Sequence, residues 1–138
     1  MFTVDDLRAA GMKTSKQFDV TGLTGAVDVW FGFFTPPGDT ARDYEVRFFP
    51  THSDAVELGM ALADEGTGED AKLFSTNATW QSGLAERSWE LAGGGFAPRY
   101  MDYVIYGNMI LLREGLAPAE SVDRCSALID GVEAAQAS

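Results

Sequence analysis

The sequence has little of what most often carries chemistry. In 138 residues there is one cysteine and one histidine. A lone cysteine, Cys125, excludes an intramolecular disulfide and any cysteine-rich zinc site. With His52 as the only histidine, carboxylates would have to supply the rest of any zinc shell. Positive charge is scarce too: ten Lys and Arg stand against 21 Asp and Glu, for a net charge of -11. No basic run or basic amphipathic helix is present, so the phosphate neutralisation behind nonspecific nucleic-acid binding is missing, and attraction to an anionic membrane surface with it. No stretch approaches the ~18–20 apolar residues of a membrane helix, so no membrane insertion is expected. The first residues lack the basic and apolar regions of a signal peptide and lead into a capped helix. These features assign no compartment.

Apolar and aromatic side chains are plentiful. Hydrophobic residues make up 46% of the chain, with nine Phe, four Tyr and three Trp, too many to leave solvated. A chain of this length falls within the ~100–150 residues typical of one domain and can bury a core without staples. A single domain over residues 1–138 is therefore expected.

Along the chain, Thr3-Val4-Asp5-Asp6 reads as a variant capping box that opens a helix to Ala10, with Gly11 at its C′ position. Residues 16–20 suggest a short strand, and Thr21 to Gly25 a turn. Ala26 to Phe34 is the strongest strand signal and is apolar on both faces near its end. Pro36-Pro37-Gly38-Asp39 turns the chain back into Tyr44 to Phe49. There, Tyr44, Val46 and Phe48 alternate with Glu45, Arg47 and Phe49, a pattern that suits a sheet with one face partly wet. Thr51 caps a second helix ending near Asp64, and Gly59 within it suits close packing on a neighbour. Residues 64–99 form a long excursion. Its Trp80 to Leu91 part reads either as a helix interrupted by Gly83 or as extended chain, and loops of such length are often functional. Tyr100 to Tyr106 and Met109 to Arg113 read as a hairpin closed by a type II′ turn at Gly107-Asn108. The last helix begins near Pro118 and reaches about Ala134, before a loose tail. On its face Val122, Cys125, Ile129 and Val132 align, which makes Cys125 a buried structural thiol.

Hairpins dominate over regular βαβ alternation. The expected fold is α+β: a mainly antiparallel sheet of about four to five strands, with about three helices and the excursion at 64–99. The doubly apolar strands require cover on both sides, from helices, from the excursion, or from a partner such as a second copy of the chain.

Recognisable catalytic patterns are missing. His52 lies beside Ser53 and Asp54, but sequence neighbours rarely have triad geometry, and no G-x-S-x-G elbow occurs. The acidic segment Asp64 to Asp70 does not match the EF-hand spacing and reads as a solvated loop rather than a calcium site. Gly93-Gly94-Gly95 has no Lys after it, as a Walker loop requires, and reads as a turn. No metal, cofactor or catalytic set is expected. The one constellation with the composition of a ligand pocket lies in and beside the excursion. There, Trp80, Trp89, Phe96 and Tyr100 interleave with Arg87 and Arg99, either of which could pair with a carboxylate or phosphate. The expected function is thus non-catalytic. It is a binding or interaction domain that either self-associates as a homodimer, meets a protein partner, or holds a small ligand beneath residues 64–99. The alternative is a small enzyme, a hydrolase or isomerase, with a pocket on the sheet face.

Overall fold

In the computed structural model of the chain, residues 1–115 and 117–137 are described. The fold is α+β, with a five-stranded antiparallel sheet, a separate two-stranded sheet and three helices among these residues. Helix α1 (Val4–Ala9) starts where Thr3 donates its backbone N–H to Asp6 Oδ2 at 2.8 Å. Strands β1 (Lys13–Gln17), β2 (Asp28–Phe34) and β3 (Arg42–Phe48) follow. Helix α2 covers residues 52–65: a first turn, His52–Asp54, a π-helical stretch, Ala55–Gly59, and an α-helical end, Met60–Glu65. Its Thr51 cap accepts the Asp54 N–H at 3.1 Å. A 3₁₀ turn, Leu84–Arg87, leads into β4 (Ser88–Glu90) and β5 (Phe96–Pro98), which pair only with each other. Strands β6 (Tyr100–Tyr106) and β7 (Met109–Glu114) then return to the main sheet, and α3 (Pro118–Ala137) closes the chain.

The sheet order is β1-β2-β3-β7-β6. Register opposes Val46 to Trp30 on one side and to Leu111 on the other, so every second residue of the central strands faces the same layer. On that face Tyr44, Val46, Phe48, Met109 and Leu111 pack against Leu7 of α1 and against Cys125, Leu128 and Val132 of α3. Each such side chain contributes roughly 1.5–3 kcal/mol on full burial. On the opposite face, α2 covers Phe49, Ile110 and Leu112, while Trp80 of the excursion closes over Phe18, Leu23, Val29 and Phe31. The doubly apolar strands are thus covered within the chain, by helices on both sides and by the excursion.

Several expectations are revised. The first strand lies at Lys13–Gln17, not 16–20, because it must pair with Trp30 to Phe33 of β2. The Glu45 and Arg47 face of β3 is not wet: both residues are fully buried. Between Trp80 and Leu91 there is no α-helix but the 3₁₀ turn and β4, with Gly83 at φ 72, a value that breaks regular helix. The last helix runs on through Ala137, and Ser138 of the expected tail lies outside the described residues. Gly59 does pack closely: a Cβ there would lie 2.5 Å from Ile110 Cδ1 and 2.7 Å from Phe49 Cζ. Gly107, at φ 56 and followed by a residue of negative φ, fits the II′ hairpin turn.

Candidate functional site

Under the excursion, the second face of the sheet changes from apolar to charged. Glu45 and Arg47 are neighbours on that face of β3, two residues apart, and Glu45 Oε2 accepts from Arg47 Nε at 2.7 Å. Arg87, carried inward by the 3₁₀ turn, brings its Nε to 3.5 Å from Glu45 Oε1. Its Nη1 donates to Trp80 O at 3.4 Å, and its Nη2 donates to Ser82 O. The Trp80 ring meets both cations, with the Arg47 and Arg87 guanidinium carbons 4.9 and 4.4 Å from its centroid. Its indole N–H is anchored on Asp19 O at 2.8 Å. Tyr100 lies fully buried at the start of β6. Burial lowers the Arg87 pKa, countered by Glu45, and raises the Tyr100 pKa well above its usual value, so its phenol stays neutral.

Outside this buried cluster is an open cleft of about 580 Å³, lined by Leu73, Phe74, Leu84, Ala85, Phe96 and Arg99, with Ser75, Ser88 and Glu90 at its polar points. Phe74 and Phe96 are half exposed and meet edge to face, with centroids 5.6 Å apart. The triple glycine turns β4 into β5: Gly94 and Gly95 take φ of 92 and 83, and Leu91 N–H donates to Gly95 O at 3.0 Å. Residues 93–95 thereby place Phe96 beside Phe74. Arg99 is held by three partners. Its guanidinium stacks on the Trp89 ring at 4.3 Å, Nη1 pairs with Asp43, and Nη2 donates to Ser88 O at 3.3 Å.

The residues singled out from the sequence therefore divide. Trp80, Arg87 and Tyr100 lie in the buried cluster, and Arg99 and Trp89 are partly buried at its edge, Arg99 in the cleft wall and Trp89 beside it. The other candidates sit elsewhere. His52 is exposed and Nδ1 donates to Gly107 O at 2.7 Å, tying α2 to the β6–β7 hairpin. The acidic segment is partly structural: Asp64 accepts from the Tyr103 hydroxyl at 2.7 Å, and Glu65 accepts from the Thr79 hydroxyl at 2.9 Å. Among the described residues no group of three or more His, Cys, Asp or Glu could hold a metal ion. None of their helices is long and apolar enough to cross a membrane. Cys125 is buried, its thiol donates to Leu111 O at 3.3 Å, and burial raises its pKa.

Residues 3–134 match the model of a family described as "Family of unknown function (DUF6810)". The chain belongs to the DUF6810 family. No curated protein and no solved structure matches it.

Sequence reasoning missed four residues of this DUF6810 chain's site: Glu45, Arg47, Phe74 and Asp43. A signal for the first two was present. Strands on either side of β3 are apolar on both faces, and a strand between such neighbours has no wet face to offer. Opposite charges two residues apart on such a strand then imply a buried pair. For Phe74 no comparable signal exists, because it stands in irregular chain.

Proposed function

We propose that this domain binds a small, largely apolar ligand with one polar head in the cleft formed by the excursion, without catalysis. The observation that carries this reading is the exposed Phe74–Phe96 pair over an open cavity of about 580 Å³. Drug-sized ligand sites are concave, apolar with few polar groups, and roughly 300–1,000 Å³ in volume. Exposed aromatic surface beside such a hollow is stabilised when a ligand removes it from water. Leu73, Leu84 and Ala85 supply further apolar wall, and Ser75, Ser88 and Arg99 supply hydrogen-bonding groups for the head. The concavity favours a small ligand over self-association, since a partner surface would need a matching projection.

A titration with 8-anilinonaphthalene-1-sulfonate, which joins apolar rings to one anionic group, tests the reading. One dye per chain should bind with a rise in fluorescence. The double variant Phe74→Asp, Phe96→Asp should lose that binding, with its thermal midpoint shifted by no more than a few degrees, because both side chains are exposed. Equal binding by the variant would remove the cleft as the site. Sedimentation of the dye-free protein at rising concentration checks the competing case, in which the same aromatics join two copies.

A further inference from the structure

Beyond the cleft, we infer that the buried cluster beneath it is itself a binding site, for one small monovalent anion of halide or carboxylate type held by the free edge of Arg47. Two independent observations carry this. The first is charge. Glu45 faces two arginines, Arg47 and Arg87, and all three side chains are buried. The neighbouring Asp43–Arg99 pair is neutral in sum, the Glu86 charge is matched by Lys16, and Tyr100 is a neutral phenol. One positive charge is left over in a medium where an uncompensated ion costs several kcal/mol.

The second is the hydrogen-bond count. Among the described residues, Arg47 Nη1 and Nη2 are buried without a hydrogen-bond partner, as are the Tyr100 hydroxyl, Glu45 Oε1 and Arg87 Nε. The Arg47 side chain is 0% exposed, so bulk water does not serve it. A guanidinium edge with both terminal nitrogens free is the fork that takes a carboxylate in two parallel bonds or a halide between two N–H groups. Trp80 covers the face of that guanidinium and fixes its plane. Gly66 closes the far side: its φ of −96 is open to any residue, but a Cβ would stand 3.2 Å from Arg47 Nη2 and 3.5 Å from Arg87 Cδ. Glycine is required there for space rather than conformation. A single anion would satisfy the two Arg47 donors and cancel the excess charge together.

Crystals grown in methanesulfonate, which is neither a halide nor a carboxylate, and soaked in sodium bromide give the direct test. An anomalous peak within hydrogen-bonding distance of Arg47 Nη1 and Nη2 is expected. Water density alone at that edge, or no density with Arg47 turned to protein acceptors, overturns the inference. In solution, replacing methanesulfonate with chloride at constant ionic strength should raise the thermal midpoint by several degrees. A parallel series in formate separates the sources: a larger rise in formate than in chloride assigns the site to a carboxylate. The Gly66→Ala variant, which crowds Nη2, should weaken the apparent anion affinity by about tenfold, read as a proportional shift in the salt midpoint (about 1.4 kcal/mol). Because Arg47→Met could fail to fold, the Gly66 variant and the bromide peak carry the decision. An anion response unchanged in Gly66→Ala would count against the site.

Discussion

The face of the sheet under α1 and α3 and the face under the excursion are both sealed from water, by opposite means. On the first, Val46, Phe48, Met109 and Leu111 meet regular helices whose backbone groups are already satisfied internally. Arg113, at the end of β7, is the exception; it stacks on Tyr44 and donates to Asp43 O at 3.2 Å, and burial lowers its pKa to about 10. On the second face, Glu45 and Arg47 lie buried where apolar residues could stand. The cover there is irregular, and the reason is chemical. Arg87 and Arg99 need acceptors, and a helix has few carbonyls to spare, whereas the excursion offers Trp80 O, Ser82 O and Ser88 O. Irregular backbone is thus what allows the sheet to bury cations, and it places an aromatic cleft directly outside them.

The sharpest way to break this contrast is to remove one charge. Glu45→Ala should destabilise by about 3–5 kcal/mol in urea unfolding, because it leaves Arg47 and Arg87 buried without a counter-charge. Replacing Glu45, Arg47 and Arg87 together with Met should recover most of that loss, since well-packed apolar residues often substitute for a buried ion cluster. A cost under about 0.5 kcal/mol for Glu45→Ala, the scale of ordinary surface changes, would show that the cluster is not buried as described. On the helix face, Leu111→Ala should cost about 2–4 kcal/mol through a cavity, and here no charge-neutral companion substitution offers rescue.

Gly59→Ala sharpens the comparison within the second face. Its Cβ would press on Ile110 and Phe49, so a loss of about 1–3 kcal/mol is expected, visible as a lowered thermal midpoint. Ala at an exposed helical site would instead stabilise slightly.

The smallest effect concerns pH and the surface. The Arg42 guanidinium, bonded to Asp39 Oδ1 at 3.0 and 2.6 Å, holds the Asp39 carboxyl at about 2, with help from the Thr40 N–H. Its folded pKa lies below its unfolded value of about 3.9. The carboxylate therefore adds stability above that unfolded value, and this is lost as pH falls toward 2. Asp39→Asn should flatten the stability profile slightly in that window and lower stability slightly at pH 7, converging with the parent chain near pH 2. An unchanged acid limb would mean the pair is solvent-screened to nothing.

Much of the architecture was legible because it rests on local patterns. Period-two alternation located β2, β3 and the β6–β7 hairpin, Thr51 and Thr3 marked helix starts, and the aligned Val122, Cys125, Ile129 and Val132 placed α3 on the core. The edge strand β1 was misplaced because Lys13 to Gln17 carries no alternation; pairing with β2 alone makes it a strand. The excursion was illegible for the same reason that it is useful. Its fold is set by long-range partners, Arg87 with Glu45 and Trp80 with Asp19, 42 and 61 residues away in sequence, and no window of sequence reports those. The candidate residues Trp89, Phe96 and Arg99 stand out by composition, while Phe74, in irregular chain, meets Phe96 of β5 only through the tertiary fold.

Native mass spectrometry of the purified chain, beside its denatured mass, tests most directly the claim that the excursion forms a ligand cleft. The account predicts a monomer carrying a non-covalent adduct that is lost on denaturation and missing from the Phe74→Asp, Phe96→Asp variant. A bare chain at twice its mass, or an adduct heavier than a simple anion kept by that variant, would contradict it.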